Sequence, residues 1–153
     1  MKIGDILAEE LVSPALAGRT KGEIIEELAA LVVGRNPEIE QPRLVQALED
    51  RERLNSTALG EGVAIPHGKL PTIDRVIAAF GRSRGGVDFH SLDGKPTHLF
   101  FLLVAPEGSA GAHLKALARI SRLLKDEGFR ARLMQATDAR ELFAIIRDED
   151  ARY

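Results

Sequence analysis

The sequence predicts an α/β fold, a single domain over residues 1–153 built as a sandwich whose mixed sheet of about five strands is flanked by helices on both faces. Three features carry that expectation. Apolar residues recur at helical spacing toward both ends of the chain, and short apolar runs bounded by Gly, Pro and Asp fill the middle. No repeat, low-complexity tract or long flexible linker divides the two kinds of pattern. A chain of 153 residues has room for one core that buries roughly two-thirds of the unfolded surface.

The first helix is predicted to open at Thr20. Thr20-Lys21-Gly22-Glu23 reads as a capping box, with the hydroxyl capping the first turn and the glutamate reaching back. Ile24, Ile25, Leu28, Leu31 and Val32 follow at helical spacing until Gly34 and Asn36-Pro37 stop the run. A second helix is expected over Gln41 to Arg53, with Pro42 in its first turn and Leu44, Ala47, Leu48 and Leu54 on its inner face. Beyond it the period changes. Val63-Ala64-Ile65 reads as a short strand ending at Pro66, and Val76 to Phe80 as another, followed by a turn at Gly85-Gly86 and an edge segment from Val87 to Phe89. After a turn at Asp93-Gly94, the unbroken apolar run His98 to Val104 has the character of a central strand buried on both faces, ended by Ala105-Pro106. The last third is helical again. Ala112 to Lys125 places Leu114, Leu117, Ala118, Ser121 and Leu124 on one face, Gly128 breaks it, Phe129 to Gln135 forms a short helix, and Asp138 caps a final one through Ile146.

Composition removes several classes of function. Aromatic residues make up 5% of the chain, too few for a surface that stacks single-stranded bases. With 21 Lys+Arg against 23 Asp+Glu and no basic block, the chain lacks an electrostatic footprint for nucleic acid. It contains no cysteine, so disulfides, thiolate catalysis and Cys-based metal sites are excluded. Acidic residues at Asp5, Glu9 and Glu10 stand where a signal peptide would be basic and then apolar, and no apolar run is long enough for a bilayer, so a cytoplasmic protein without membrane insertion is expected.

The chemistry centres on the stretch from Glu52 to Leu70. His67 follows a short apolar strand, where the chain reaches the surface. Pro66 fixes its own φ and biases Ile65 toward extended geometry, while Gly68 permits close backbone approach. An imidazole with an ordinary pKa near 6.5 offers a neutral, nucleophilic nitrogen at cellular pH, and a phosphoramidate formed on it keeps a high transfer potential. A lone Pro-His-Gly proves little. The longer pattern, Glu52, Leu59, Gly60 and the run Val63-Ala64-Ile65-Pro66-His67-Gly68, resembles the phosphorylation-site signature of the fructose/mannitol/nitrogen enzyme IIA family of the bacterial phosphotransferase system. The likeness extends over nearly the whole chain, and Gly68-Lys69-Leu70 together with the stand-alone length leans toward the nitrogen-related branch.

That resemblance implies a role for each surrounding residue. His67 would accept the phosphoryl group on its distal nitrogen from a small phosphocarrier of the HPr or NPr type, with no nucleotide, metal or other cofactor. Arg51 stands where the family has a site arginine, and a guanidinium can pair two phosphoryl oxygens at once; Arg53 is close enough in sequence to remain an alternative. His113 falls in the first turn of the helix after the central strand, where free N–H groups favour phosphate, and it matches the family's second histidine. Ser56 and Thr57 could donate hydroxyl hydrogen bonds to the same oxygens or serve as turn formers, and Gly68 would support the phosphoryl group through its backbone. His90 and His98 look structural. No His-x3-His spacing or cysteine pair supports a metal site. The implied function is a nitrogen-related phosphoryl carrier that regulates partners through its charge state, among them potassium transport or sensor kinase proteins. A sugar-specific IIA passing the group to the cysteine of a IIB domain, and a binding module that works without phosphorylation, remain as alternatives.

Overall fold

The apolar run read as a central strand is the axis of the sheet. In the computed structural model, which describes residues 1–153, the elements in chain order are β1 (Val12–Ser13), α1 (Lys21–Arg35), α2 (Gln41–Leu54), β2 (Ala58–Gly60), β3 (Val63–Ala64), β4 (His67–Leu70), β5 (Ile77–Val87), β6 (Thr97–Pro106), α3 (Ala110–Leu124), α4 (Glu127–Gln135) and α5 (Ala139–Asp150). Strands β1, β5, β6, β3 and β2 lie side by side, and β4 also pairs with β6. β6 runs antiparallel to β5 and parallel to β3 and β4, which makes the sheet mixed. Phe100 through Ala105 have no solvent exposure, so each of the large side chains in this run contributes roughly 1.5–3 kcal/mol of apolar burial.

The sheet has six strands rather than about five, because β1 and β2 are only two and three residues long and too short to leave a periodic signal. Gly85-Gly86 does not turn the chain. β5 continues through the pair to Val87, which stands opposite Thr97, and the register against β6 shifts between Arg82 and Val87. Gly86 takes φ 80° there, so the glycines are absorbed as a bulge.

β3 and β4 are two pieces of one line. Val63 pairs with Leu99, Ala64 with Phe100, His67 with Leu103 and Gly68 with Val104, so the register along β6 is unbroken across Ile65-Pro66. Proline has no N–H to give, and the ladder lapses there, although the Pro66 carbonyl still accepts from Leu103 N at 3.0 Å. Side chains along β4 alternate. Gly68 faces α2, where a Cβ would stand 3.3 Å from the carbonyl carbon of Ala47. His67 therefore faces the other way, toward α3 and His113. Helices cover both faces of the sheet at this strand, and glycine is what lets α2 come so close.

Several helix details depart from expectation. α3 buries His113, Ala116, Ile120, Leu123 and Leu124, a stripe turned away from the expected one, and Leu114 is 64% exposed. Leu54, expected on the inner face of α2, is 78% exposed at its C-terminus. The break between α3 and α4 lies at Lys125-Asp126, with the Asp126 carboxylate accepting from Phe129 N at 3.0 Å, so Gly128 sits inside the first turn of α4. The Thr20 hydroxyl accepts from Glu23 N as expected, but Glu23 reaches past it and accepts from Arg19 N. α5 is capped by Asp138 and runs on to Asp150.

One buried cation ties the layers together. Arg82 on β5 is 1% exposed and donates to the carbonyls of Pro14, Leu133 and Ala136, joining the segment after β1 to the end of α4. Arg82→Met should take this donor from the Pro14 and Leu133 carbonyls, leave Ala136 O with Arg84 alone, and lower stability by about 2–4 kcal/mol. A urea midpoint that falls with an unchanged slope would bear this out, and an unchanged midpoint would contradict it.

Candidate functional site

His67 opens β4 and is half-buried. Its Nδ1 lies 2.7 Å from the carbonyl oxygen of Ile65. A carbonyl can only accept, so the bond places the proton on Nδ1 and leaves the lone pair on Nε2. The Ile65 carbonyl is available because β3 has ended and no strand takes its place. The ring lines an open cavity of about 890 Å³ shared with Arg51, Lys69, Glu107 and His113, with Leu54 and Leu114 at its mouth.

His113 reaches the same cavity from the first turn of α3, where its own N–H bonds Ser109 O at 3.0 Å. The two imidazole centroids are 5.4 Å apart. Its ring is buried, and Nδ1 has no hydrogen-bond partner. A buried N–H without an acceptor is rarer than a buried lone pair without a donor. The favourable tautomer therefore carries its proton on Nε2, presenting a neutral donor.

Arg51 stands in the last turn of α2. One terminal nitrogen donates to the backbone oxygen and to the side-chain oxygen of Asn55, each at 3.1 Å, which leaves the rest of its planar fork unengaged. Arg53 points elsewhere: it is exposed, bonds Asp50 and does not line the cavity. The structure thus gathers His67, His113, Arg51 and Gly68 of the expected set. Gly68 lines the cavity while its Cα packs on Ala47. Ser56 and Thr57 do not join them. The Ser56 hydroxyl donates to Phe89 O at 2.7 Å, and that of Thr57 is held by Glu52. His98 donates from Nδ1 to Ser83 O at 2.9 Å, and His90 is exposed on a loop, both away from the cavity.

Lys69, expected only as part of the Gly68-Lys69-Leu70 stretch and not at the site, lines the cavity as well. Strand alternation puts it on the same face as His67, two residues on, and a strand beginning at His67 would have revealed it. The strand expected to end at Pro66 is instead followed at once by β4, which starts at the histidine. Leu54 and Leu114, expected on buried helix faces, are exposed at the cavity.

Electrostatics keep both imidazoles neutral. Burial is the largest influence on His67 and lowers its pKa; the bond to Ile65 O opposes it, the Arg51 charge lowers it further, and the Glu52 carboxylate raises it. His113 is lowered to about 4 by burial first, then by His67, Lys69 and Arg51. A cavity with cations at its rim and neutral rings inside is arranged to receive negative charge.

Comparison with known proteins gives a consistent picture. Residues 5–149 match the family model for the phosphoenolpyruvate-dependent sugar phosphotransferase system, EIIA 2. A nitrogen regulatory protein from Bradyrhizobium diazoefficiens is 42% identical over 146 residues, covering 95% of each chain. The crystal structure of nitrogen regulatory protein IIA-Ntr from Neisseria meningitidis superimposes with a TM-score of 0.88 at 35% identity, over 94% of this chain and 98% of that one. Enzyme IIAMTL in its complex with phosphorylated enzyme IIBMTL from Escherichia coli is also similar, with a TM-score of 0.77 at 26% identity, over 92% of this chain and 96% of that one. No helix of the chain is long and apolar enough to cross a membrane.

The depressed pKa of His113 has a consequence for stability. Between about 4 and the unfolded value of 6.5 the unfolded chain binds the proton that the folded one refuses. The stabilisation is complete above pH 6.5 and is lost as the pH falls through that window, amounting to roughly 3 kcal/mol for this ring. Urea unfolding from pH 7 to pH 4.5 should therefore show a declining midpoint that is flatter in His113→Leu. Identical slopes in the two proteins would reject the assignment.

Proposed function

Because the chain belongs to the EIIA 2 family of the phosphoenolpyruvate-dependent sugar phosphotransferase system, a family of phosphotransfer proteins, we propose that His67 is its phosphoryl acceptor and that the phosphorylated state regulates partner proteins. The observation that carries this reading is the hydrogen bond from His67 Nδ1 to Ile65 O, which leaves Nε2 as the nucleophile at the cavity. Nε2 attacks the phosphorus of a phosphohistidine on an HPr- or NPr-type carrier in line, the donor P–N bond breaks as the Nε2–P bond forms, and the carrier's imidazole, protonated beforehand on its other ring nitrogen, departs neutral. The positive charge that develops on His67 is shared with Nδ1–H and steadied by the Ile65 carbonyl. No proton has to move on this side of the transfer.

The other residues supply placement and charge. Arg51 offers the unengaged part of its fork to the phosphoryl oxygens, and His113 donates through Nε2–H. Lys69 adds a second positive charge from the same strand face as His67. Leu54 and Leu114, exposed on either side of the cavity, provide the apolar contacts that a docking carrier would bury.

The nitrogen-related reading is favoured by the relatives whose chains this one covers end to end, the nitrogen regulatory protein and IIA-Ntr. A bound phosphoryl group adds about −1.5 to −2 charges at a face rich in cations, which reverses its local sign and so selects among partners. Those partners are regulatory targets in the cytoplasm, with potassium transport and sensor kinase proteins as the first to test. The likeness to IIAMTL, whose solved structure includes a phosphorylated IIB, supports a second reading, delivery to a IIB domain in sugar uptake.

Incubation with phosphoenolpyruvate, enzyme I and an HPr-type carrier should label the wild-type protein once, at His67, and leave His67→Ala unlabelled. Persistent label in that variant would overturn the site. Arg51→Ala should slow labelling about tenfold, the loss of roughly 1.4 kcal/mol of transition-state stabilisation, without unfolding the protein. His113→Ala should shorten the lifetime of the phosphorylated form. Transfer onward to a fructose- or mannitol-type IIB would select the second reading over the first.

A further inference from the structure

Glu52 is charged and nearly inaccessible, and nothing in the phosphoryl chemistry above calls for it. Its side chain is 5% exposed at the end of α2, and Lys21 at the start of α1 pairs with it at 2.6 Å. The Lys21 ammonium also lies over the Phe89 ring, 4.8 Å from its centre, a second attraction that holds the cation. The carboxylate accepts from Thr57 N at 3.1 Å and takes the Thr57 hydroxyl as well. Thr57 is held a second time, since its carbonyl accepts from Ile65 N at 3.1 Å. Ile65 in turn offers its carbonyl to His67 Nδ1. A continuous set of hydrogen bonds thus runs from a buried carboxylate, through two backbone residues, to the ring that opens β4. The neighbouring Ser56 pins the same loop to Phe89 O.

We propose that Glu52 is a positioning residue for His67: by anchoring Thr57 it holds the Ile65 carbonyl where it fixes the imidazole as the Nδ1–H tautomer. The assignment rests on His67 being the phosphoryl acceptor. The alternative role for a buried ion pair, stability alone, is weak on general grounds, because desolvating both charges offsets much of their attraction. Direction of pull agrees with the geometry. The Glu52 charge raises the His67 pKa, opposing burial and Arg51. Other charged or titratable groups around the ring are Lys69 on its own strand, His113 on α3, Arg51, Asp50 and Arg43 on α2, and Glu107 before α3. None of these bonds Ile65 or Thr57, so none can substitute for the tether.

The unphosphorylated protein can be tested directly, by ¹⁵N spectroscopy of the His67 ring over a pH titration. Wild type should show protonated Nδ1 and bare Nε2 above the pKa. Glu52→Gln keeps the volume and an acceptor but removes the charge, so the ring should titrate lower, populate the Nε2–H tautomer and accept phosphoryl several-fold more slowly. Lys21→Met leaves the carboxylate without its counter-cation and should move the titration upward. Thr57→Val keeps the backbone N–H and should leave the tautomer as in wild type. If Glu52→Gln does not fold, the upward shift in Lys21→Met decides. A folded Glu52→Gln with wild-type tautomer and pKa, or an unmoved Lys21→Met, overturns the proposal. Because the ring is observed without any phosphoryl donor, a protein that never labels at His67 would defeat the functional reading while leaving the tether to be judged by its own spectrum.

Discussion

The run from Val63 to Leu70 keeps one register against β6 although its ladder is interrupted at Ile65-Pro66. That interruption is the constraint on which the site depends. A fully paired strand would commit the Ile65 carbonyl to a neighbour, and a true chain break would leave His67 free to wander. Proline removes one donor without disturbing the alignment on either side, so the histidine inherits the rigidity of the sheet and an unclaimed acceptor two residues behind it. The ring's tautomer, its exposed nitrogen and its facing toward α3 all follow from this.

Electrostatic design then acts on a ring already fixed in place. Burial disfavours protonation of both imidazoles, the Arg51 cation pushes both in the same direction, and Lys69 adds to the effect on His113. The result is a concave surface with positive edges, one neutral donor on His113 and one bare nitrogen on His67, an arrangement suited to negative charge. Glu52 is the counterweight: it lies close enough to moderate these effects, yet its carboxylate faces Lys21 and Thr57 and does not line the cavity.

Much of this was legible from residue order. Caps at Thr20 and Asp138, the apolar run at β6, and the Pro66-His67-Gly68 motif each carry a local physical cause, and each lies where that cause puts it. Arg51 and His113 were identified through resemblance and do meet at the cavity. What could not be read depends on distant partners. Leu54 and Leu114 have the composition of core residues, and only the packing of α2 and α3 turns them to solvent. Gly85-Gly86 has the composition of a turn, but pairing with β6 holds the strand together through it. Ser56 and Thr57 have the right hydroxyls, and only the folded loop reveals that Phe89 and Glu52 have claimed them.

Gly68 and His67 look to opposite sides of one strand, toward α2 and α3 respectively. The cavity is consequently assembled from two layers that share no direct sequence neighbourhood, with an arginine delivered by one and an imidazole by the other. A partly folded chain in which only one layer has docked owns half a receptor and cannot grip the incoming group. An intact cavity is thereby a sign of completed assembly, present only once both layers have closed on the sheet.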